Sequence, residues 1–157
     1  MEKFGLTLHP EKTRLFAFTP PSGDDVGKGS ATFDLLGFTL YWRRTRRGTW
    51  AMWCKTRRAR VSRAIKTAAD WCRRHRHLPV KEQHAALMRR VQGHINYFGV
   101  NGNLASLVRV VRGVEEAWRK WLDRRSQRAR MTWERFVDLK KRFPLPRPRI
   151  VVDIWGR

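Results

Sequence analysis

A chain of 157 residues has room for one ordinary domain or two small ones. Its 35 Lys and Arg against 13 Asp and Glu leave a formal charge of +22, while 41% hydrophobic residues, 8 Trp and 8 Phe among them, supply a core. Such a composition excludes intrinsic disorder and makes a polyanion, nucleic acid first, the expected partner.

The first 55 residues carry strand signals. Thr13 to Phe18, Phe33 to Trp42 and Thr49 to Trp53 are rich in Thr, Phe, Tyr and Trp and are separated by turn formers such as Pro20-Pro21-Ser22-Gly23. Arg43 to Gly48 reads as a hairpin loop whose four arginines form a positive tip. From Arg57 the period becomes helical: Val61, Ile65, Ala68 and Cys72 make one apolar stripe that stops near Pro79, with Arg63, Lys66, Arg74 and Asp70 on the far side. The spacing predicts a second helix over Val80 to Phe98, with Leu87, Val91, Ile95 and Phe98 inward and Gly99 as its stop. A third carries Leu104, Leu107, Val108, Val111, Val114, Trp118 and Leu122 on one side and Arg109, Arg112 and Lys120, tempered by Glu116, on the other. Thr132 is an N-cap for a short fourth helix ending near Phe143, and Pro144-Leu145-Pro146-Arg147-Pro148-Arg149 forces an extended tail.

Other classes are disfavoured in turn. No apolar run approaches the roughly 18 residues of a membrane span, and Met1 to Leu6 lacks the apolar stretch of a secretory leader. Cys54 and Cys72 have neither a partner set for a disulfide framework nor the Cys-x-x-Cys spacing of a zinc site, so a reducing cytoplasm is expected. None of the five histidines has metal-ligand spacing, and Asp24-Asp25 sits among turn residues rather than on rigid elements, so neither a metal site nor a catalytic constellation is expected. Packing is the expected role of Trp42, Trp50 and Trp53 at the hairpin and of Trp71 and Trp118 on the stripes, whereas Trp133 and Trp155 stay open to a base-stacking role. The basic content is the informative signal. Between Cys54 and Arg90 there are 12 Lys or Arg against 2 acids, and between Arg109 and Arg149 there are 14 against 5, too uneven for an ordinary solvated face. Guanidinium groups in such numbers neutralise phosphates and release counterions.

Two segments go beyond composition. Gly5-Leu6-Thr7-Leu8-His9-Pro10-Glu11-Lys12-Thr13, followed about twenty residues later by Phe33-Asp34-Leu35-Leu36-Gly37-Phe38, resembles the last two palm blocks of group II intron-encoded reverse transcriptases, with Leu36 in place of the usual Phe. His94-Ile95-Asn96-Tyr97-Phe98-Gly99, Asn101-Gly102-Asn103, Trp118 to Leu122, Arg124-Arg125-Ser126-Gln127 and the Pro-Arg tail are similar to that family's thumb, or maturase, domain. The resemblance implies an α+β chain: an antiparallel palm remnant with a hairpin over residues 1–55, a thumb of three to four helices over 56–143 and an extended tail over 144–157. It implies that Lys12 lies near an incoming nucleotide and that Leu36, Gly37 and Phe38 support a primer-grip hairpin.

The family's polymerase site needs carboxylates on a Tyr-x-Asp-Asp strand to hold magnesium, and no Tyr-x-Asp-Asp occurs in this chain. The expected function is therefore binding of structured intron RNA or a template-primer duplex, in splicing or retrotransposition, without polymerisation by this chain alone. No cofactor is expected, and magnesium only where a separate chain supplies the catalytic palm. The residues expected at the RNA are Arg43, Arg44, Arg46, Arg47, Arg57, Arg58, Arg60, Arg63, Lys66, Arg73, Arg74, Arg109, Arg112, Lys120, Arg124 and Arg125. The alternatives are a non-catalytic subunit of a split polymerase, a free-standing general nucleic-acid binder and a decayed fragment.

Overall fold

The computed structural model describes residues 17–21, 32–126 and 130–153. The Lys12 block, Asp24-Asp25 and Trp155 lie outside the described residues, as does most of the segment Thr13 to Phe18, of which Ala17 and Phe18 carry no strand. The fold is α+β. Strands β1 (Phe33–Leu35), β2 (Phe38–Arg44) and β3 (Trp50–Thr56) form an antiparallel sheet in that order, followed by helices α1 (Arg58–Arg74), α2 (Val80–Phe98), α3 (Leu104–Asp123) and α4 (Trp133–Arg142).

The stretch Phe33 to Trp42, expected as one strand, is two. Leu35 pairs with Phe38, so Leu36 and Gly37 alone turn the chain, with φ of 50° and 88°. Two consecutive residues at positive φ make the tight connection whose twist matches that of paired strands. Glycine adopts this readily; leucine does so rarely, which is why nothing local betrays the turn. The second hairpin also differs from expectation. Arg43 and Arg44 extend β2, pairing with Ala51 and Trp50, and only Arg46 and Arg47 ride the loop, which closes through Thr45 N–H to Thr49 O at 2.8 Å.

The four helices bury one stripe each. Val61, Ala68 and Cys72 of α1, Leu87, Val91 and Ile95 of α2, and Val110, Val111, Val114, Trp118 and Leu122 of α3 meet Phe136 of α4 and Leu145 of the tail in a common core. Trp118 is fully buried and its indole N–H donates to Gln83 Oε1 at 2.9 Å; Gln83 in turn donates to the carbonyls of Arg76 and Leu78. The polar atoms of both side chains are thus satisfied, as burial requires. Thr132 caps α4 by accepting from Arg135 N–H, and Lys140, Lys141 and Arg142 in the last turn complement the helix dipole. Leu104 and Val108, expected in the α3 stripe, are instead 45% and 47% exposed, and Val110 takes the inward place.

A polar knot joins sheet to helices. Asn103, fully buried at the head of α3, accepts from Thr56 N–H and donates to Thr56 Oγ1 and Phe98 O, each at 2.7 Å. Phe38 packs on Phe98, Tyr97 donates its hydroxyl to Leu36 O at 3.0 Å, and Arg57 N–H bonds Gly37 O at 2.9 Å. The β1–β2 turn thus rests on the end of α2. Gly99 ends α2, but at φ −78° rather than in the left-handed region. Its lack of a side chain serves the tail: Val151 and Val152 N–H both bond Gly99 O, and a Cβ there would meet the carbonyls of Ile95 and Arg149.

Candidate nucleic-acid interface

Helix α1 turns its apolar stripe to the core, so its remaining circumference must carry the other residue types, and those are basic. Arg57, Arg58, Arg60, Arg63, Lys66, Arg73 and Arg74 are all exposed. Arg57 Nε pairs with Asp34 at 2.9 Å, and Arg74 donates to Asp70 O. Arg60 and Arg63 share a hollow of about 300 Å³ with Leu36, His94, Tyr97 and Phe98, so the structure brings the β1–β2 turn and the start of α1 together. At the other hairpin Arg43, Arg44, Arg46 and Arg47 are exposed; Arg43 lies over the Trp53 ring at 5.3 Å and Arg44 over Trp50 at 5.6 Å. Lys55 covers Tyr41 in the same way. Such stacking fixes a cation's direction while leaving its charge in water.

A second basic surface follows from how α1 and α3 meet. Gly113 and Ala117 let the two helices approach so closely that a Cβ on Gly113 would sit 2.6 Å from Ile65 Cδ1. Above this contact runs a groove of about 630 Å³ lined by Arg109, Arg112, Lys120, Trp121, Asp70 and Glu116. Asp70, which shares the helix face of Arg63, Lys66 and Arg74, thus also edges the groove. Arg112 pairs with Glu116 at 3.0 Å, and Lys120 and Arg124 both approach the Trp121 ring. Arg109, Arg112, Lys120 and Arg124 are exposed; Arg125 is only partly so, because its Nη2 donates to the carbonyls of His77 and Leu78 and braces the α1–α2 connection.

The ionisable groups inside behave as structural members. Burial pushes the Cys72 thiol up to about 12 and raises Cys54, keeping both protonated. Burial also lowers His94, whose ring lies 4.6 Å from Phe98. His84 bonds Pro144 O at 2.9 Å and packs against Trp118 and Phe143. Among the described residues no group of three or more His, Cys, Asp or Glu could hold a metal ion, and no helix is long and apolar enough to cross a membrane.

No protein-family model, curated protein or solved structure matches the chain. What the residues themselves offer is a cationic exterior rich in guanidinium groups. With 35 cations and 13 acids, one-to-one pairing of every acid would still leave 22 cations for an outside anion. Sequence reasoning overlooked Arg119 and left the role of Trp133 open. Arg119 donates to Met131 O and lies over the Trp133 ring at 4.2 Å; residues twelve and fourteen positions away give it no local signal.

Proposed function

We propose that this chain is the RNA-binding C-terminal portion of a group II intron reverse transcriptase or maturase, working in the cytoplasm on structured intron RNA or a template-primer duplex. The observation that carries the reading is the array of exposed arginines with Lys66 on α1, beside the sheet, continued by the α1/α3 groove, where Arg109, Arg112 and Lys120 outnumber Asp70 and Glu116. Duplex RNA is held through its shape and backbone, so a basic helix face suits it without base-specific side chains. The order of a hairpin sheet followed by helices supports the resemblance drawn from Phe33 to Phe38 and from His94 to Asn103. Polymerisation would need carboxylates and their magnesium supplied from outside these 157 residues, since no Tyr-x-Asp-Asp occurs among them.

Retention of RNA by the purified chain tests this. A folded group II intron RNA should be held in moderate salt where an unstructured RNA of equal length is released. Charge reversal at Arg63, Lys66 and Arg74 together should flatten the salt slope by about 2 to 3, given about 0.7 to 0.9 per phosphate contact, with the helical signal unchanged. Equal retention of both RNAs would leave a general nucleic-acid binder; failure to hold either would remove the RNA reading.

A further inference from the structure

The flank of α3 that faces away from α1 holds a feature that phosphate binding leaves unused. Val108 and Val111 of α3, Trp133 of α4 and Pro148 of the tail line a slot of about 440 Å³, within the roughly 300 to 1,000 Å³ of small-ligand sites. Two ion pairs border it. Lys140 Nζ lies 2.7 Å from Glu115 Oε2, partly buried, and Arg112 Nε lies 3.0 Å from Glu116. The four charges of the lining cancel, so on this strongly cationic molecule the slot's own walls are neutral and mostly apolar, with Arg119 as the one further cation at the Trp133 ring.

Among the described residues Trp133 is the most exposed tryptophan, at 51%. Its ring is nonetheless held: Arg119, itself tied to Met131 O, stacks on it at 4.2 Å, and Phe136 meets it edge-on at 6.2 Å. A rigid indole with part of its surface open is a stacking platform, and its cation makes the ring more receptive to an electron-rich flat partner. The slot also adjoins the proposed RNA surface, because Arg112 and Glu116 line both it and the α1/α3 groove.

We infer that this slot takes a single unpaired nucleobase of the bound RNA, stacked on Trp133, while the backbone on either side follows the cations of α3. The apolar walls exclude water from the faces of the base. Glu115 and Glu116 accept hydrogen bonds from its ring or exocyclic N–H groups, and the paired Lys140 and Arg112 keep those carboxylates from repelling the neighbouring phosphates. The inference rests on the RNA-binding reading and adds to it a preference for RNA with a bulged or unstacked nucleotide over a continuous duplex.

The test uses the full chain and two short RNA duplexes of one sequence, one fully paired and one carrying a single bulged 2-aminopurine. The bulged RNA should bind about tenfold tighter, near the low end of what stacking on an aromatic ring contributes, and its fluorescence should be quenched on binding. Trp133→Ala should abolish both the preference and the quenching while leaving the affinity and salt slope for the paired duplex unchanged; Trp133→Phe, which keeps a ring, should retain most of the preference. Equal binding of the two RNAs by the unaltered chain, or an equal loss on both in Trp133→Ala, would overturn the slot and leave the RNA reading standing. Binding of neither RNA would instead overturn the RNA reading itself. The preference of the unaltered chain decides the matter even if Trp133→Ala does not fold.

Discussion

The two flanks of α3 are built from one helix and solve opposite problems. Toward α1 the contact is made by Gly113 against Ile65, so the helix backbones close up and the long cations Arg109 and Lys120 stand at the rim. Toward α4 the residues are larger, a Val108, a Trp133 and a Pro148 that do not close on one another, and the flanking charges pair among themselves. Close approach of the helices therefore leaves a groove rimmed by more cations than acids, and bulky side chains leave a recess whose lining charges cancel. A map of net charge would find the first and overlook the second, although a nucleic acid has both phosphates and bases to be received.

The comparison can be broken at its root by Trp118→Ala, since Trp118 lies in the core between both flanks. Truncation of a fully buried tryptophan costs about 3 to 5 kcal/mol, and Gln83 Oε1 would lose its donor, so denaturant unfolding should show a greater loss than a substitution on either flank. Gly113→Val attacks the α1 flank alone. The added branches would meet Ile65, and overpacking should cost about 2 kcal/mol, with the Trp133 environment unchanged by fluorescence quenching; a neutral outcome would mean that Ile65 has room to withdraw. On the opposite flank Lys140→Ala leaves Glu115 partly buried without its cation. A loss of about 1 kcal/mol is expected, against about 0.3 kcal/mol for Arg112→Ala, whose pair stands in solvent. Equal losses would remove the distinction between a sheltered pair and an exposed one.

The smallest effect concerns pH. Burial lowers the folded-state pKa of His94 below its unfolded value of about 6.5. The unfolded chain then binds the proton more readily, so stability is full above that value and declines as pH falls through it. Urea midpoints measured at neutral pH and near pH 5 should differ slightly more for the unaltered chain than for His94→Gln; an identical decline would assign the acid sensitivity elsewhere.

Much of the helical half was legible because its signals are local. The stripe from Val80 to Phe98 and the capping threonine at Thr132 are bounded by Pro79, Gly99 and the Pro144 tail, and α2 and α4 fall within those bounds. The α3 stripe was readable only in part. Val108 and Val110 both fit helical spacing, and Val110 is the one turned inward because it faces α1 and α2, an arrangement that spacing does not encode. In the sheet, the run from Phe33 to Trp42 hides its turn because every residue but Asp34 and Gly37 favours strands or a core, and a leucine at positive φ breaks the usual signal. The basic surface follows from composition, and nearly all of the residues assigned to it are exposed. Arg125 is drawn inward by carbonyls about fifty positions away, a partner that no local pattern announces.

Asn103 holds both an amide proton and a carbonyl oxygen in service, toward Thr56 on one side and Phe98 on the other. An aspartate of the same shape would set its oxygen against the Phe98 carbonyl, and a leucine would abandon all three groups, so neither replacement is conservative at this point. The arginine-bearing hairpin thereby inherits part of its aim from one primary amide, which helps to set the angle at which the tip's charges are offered to a ligand.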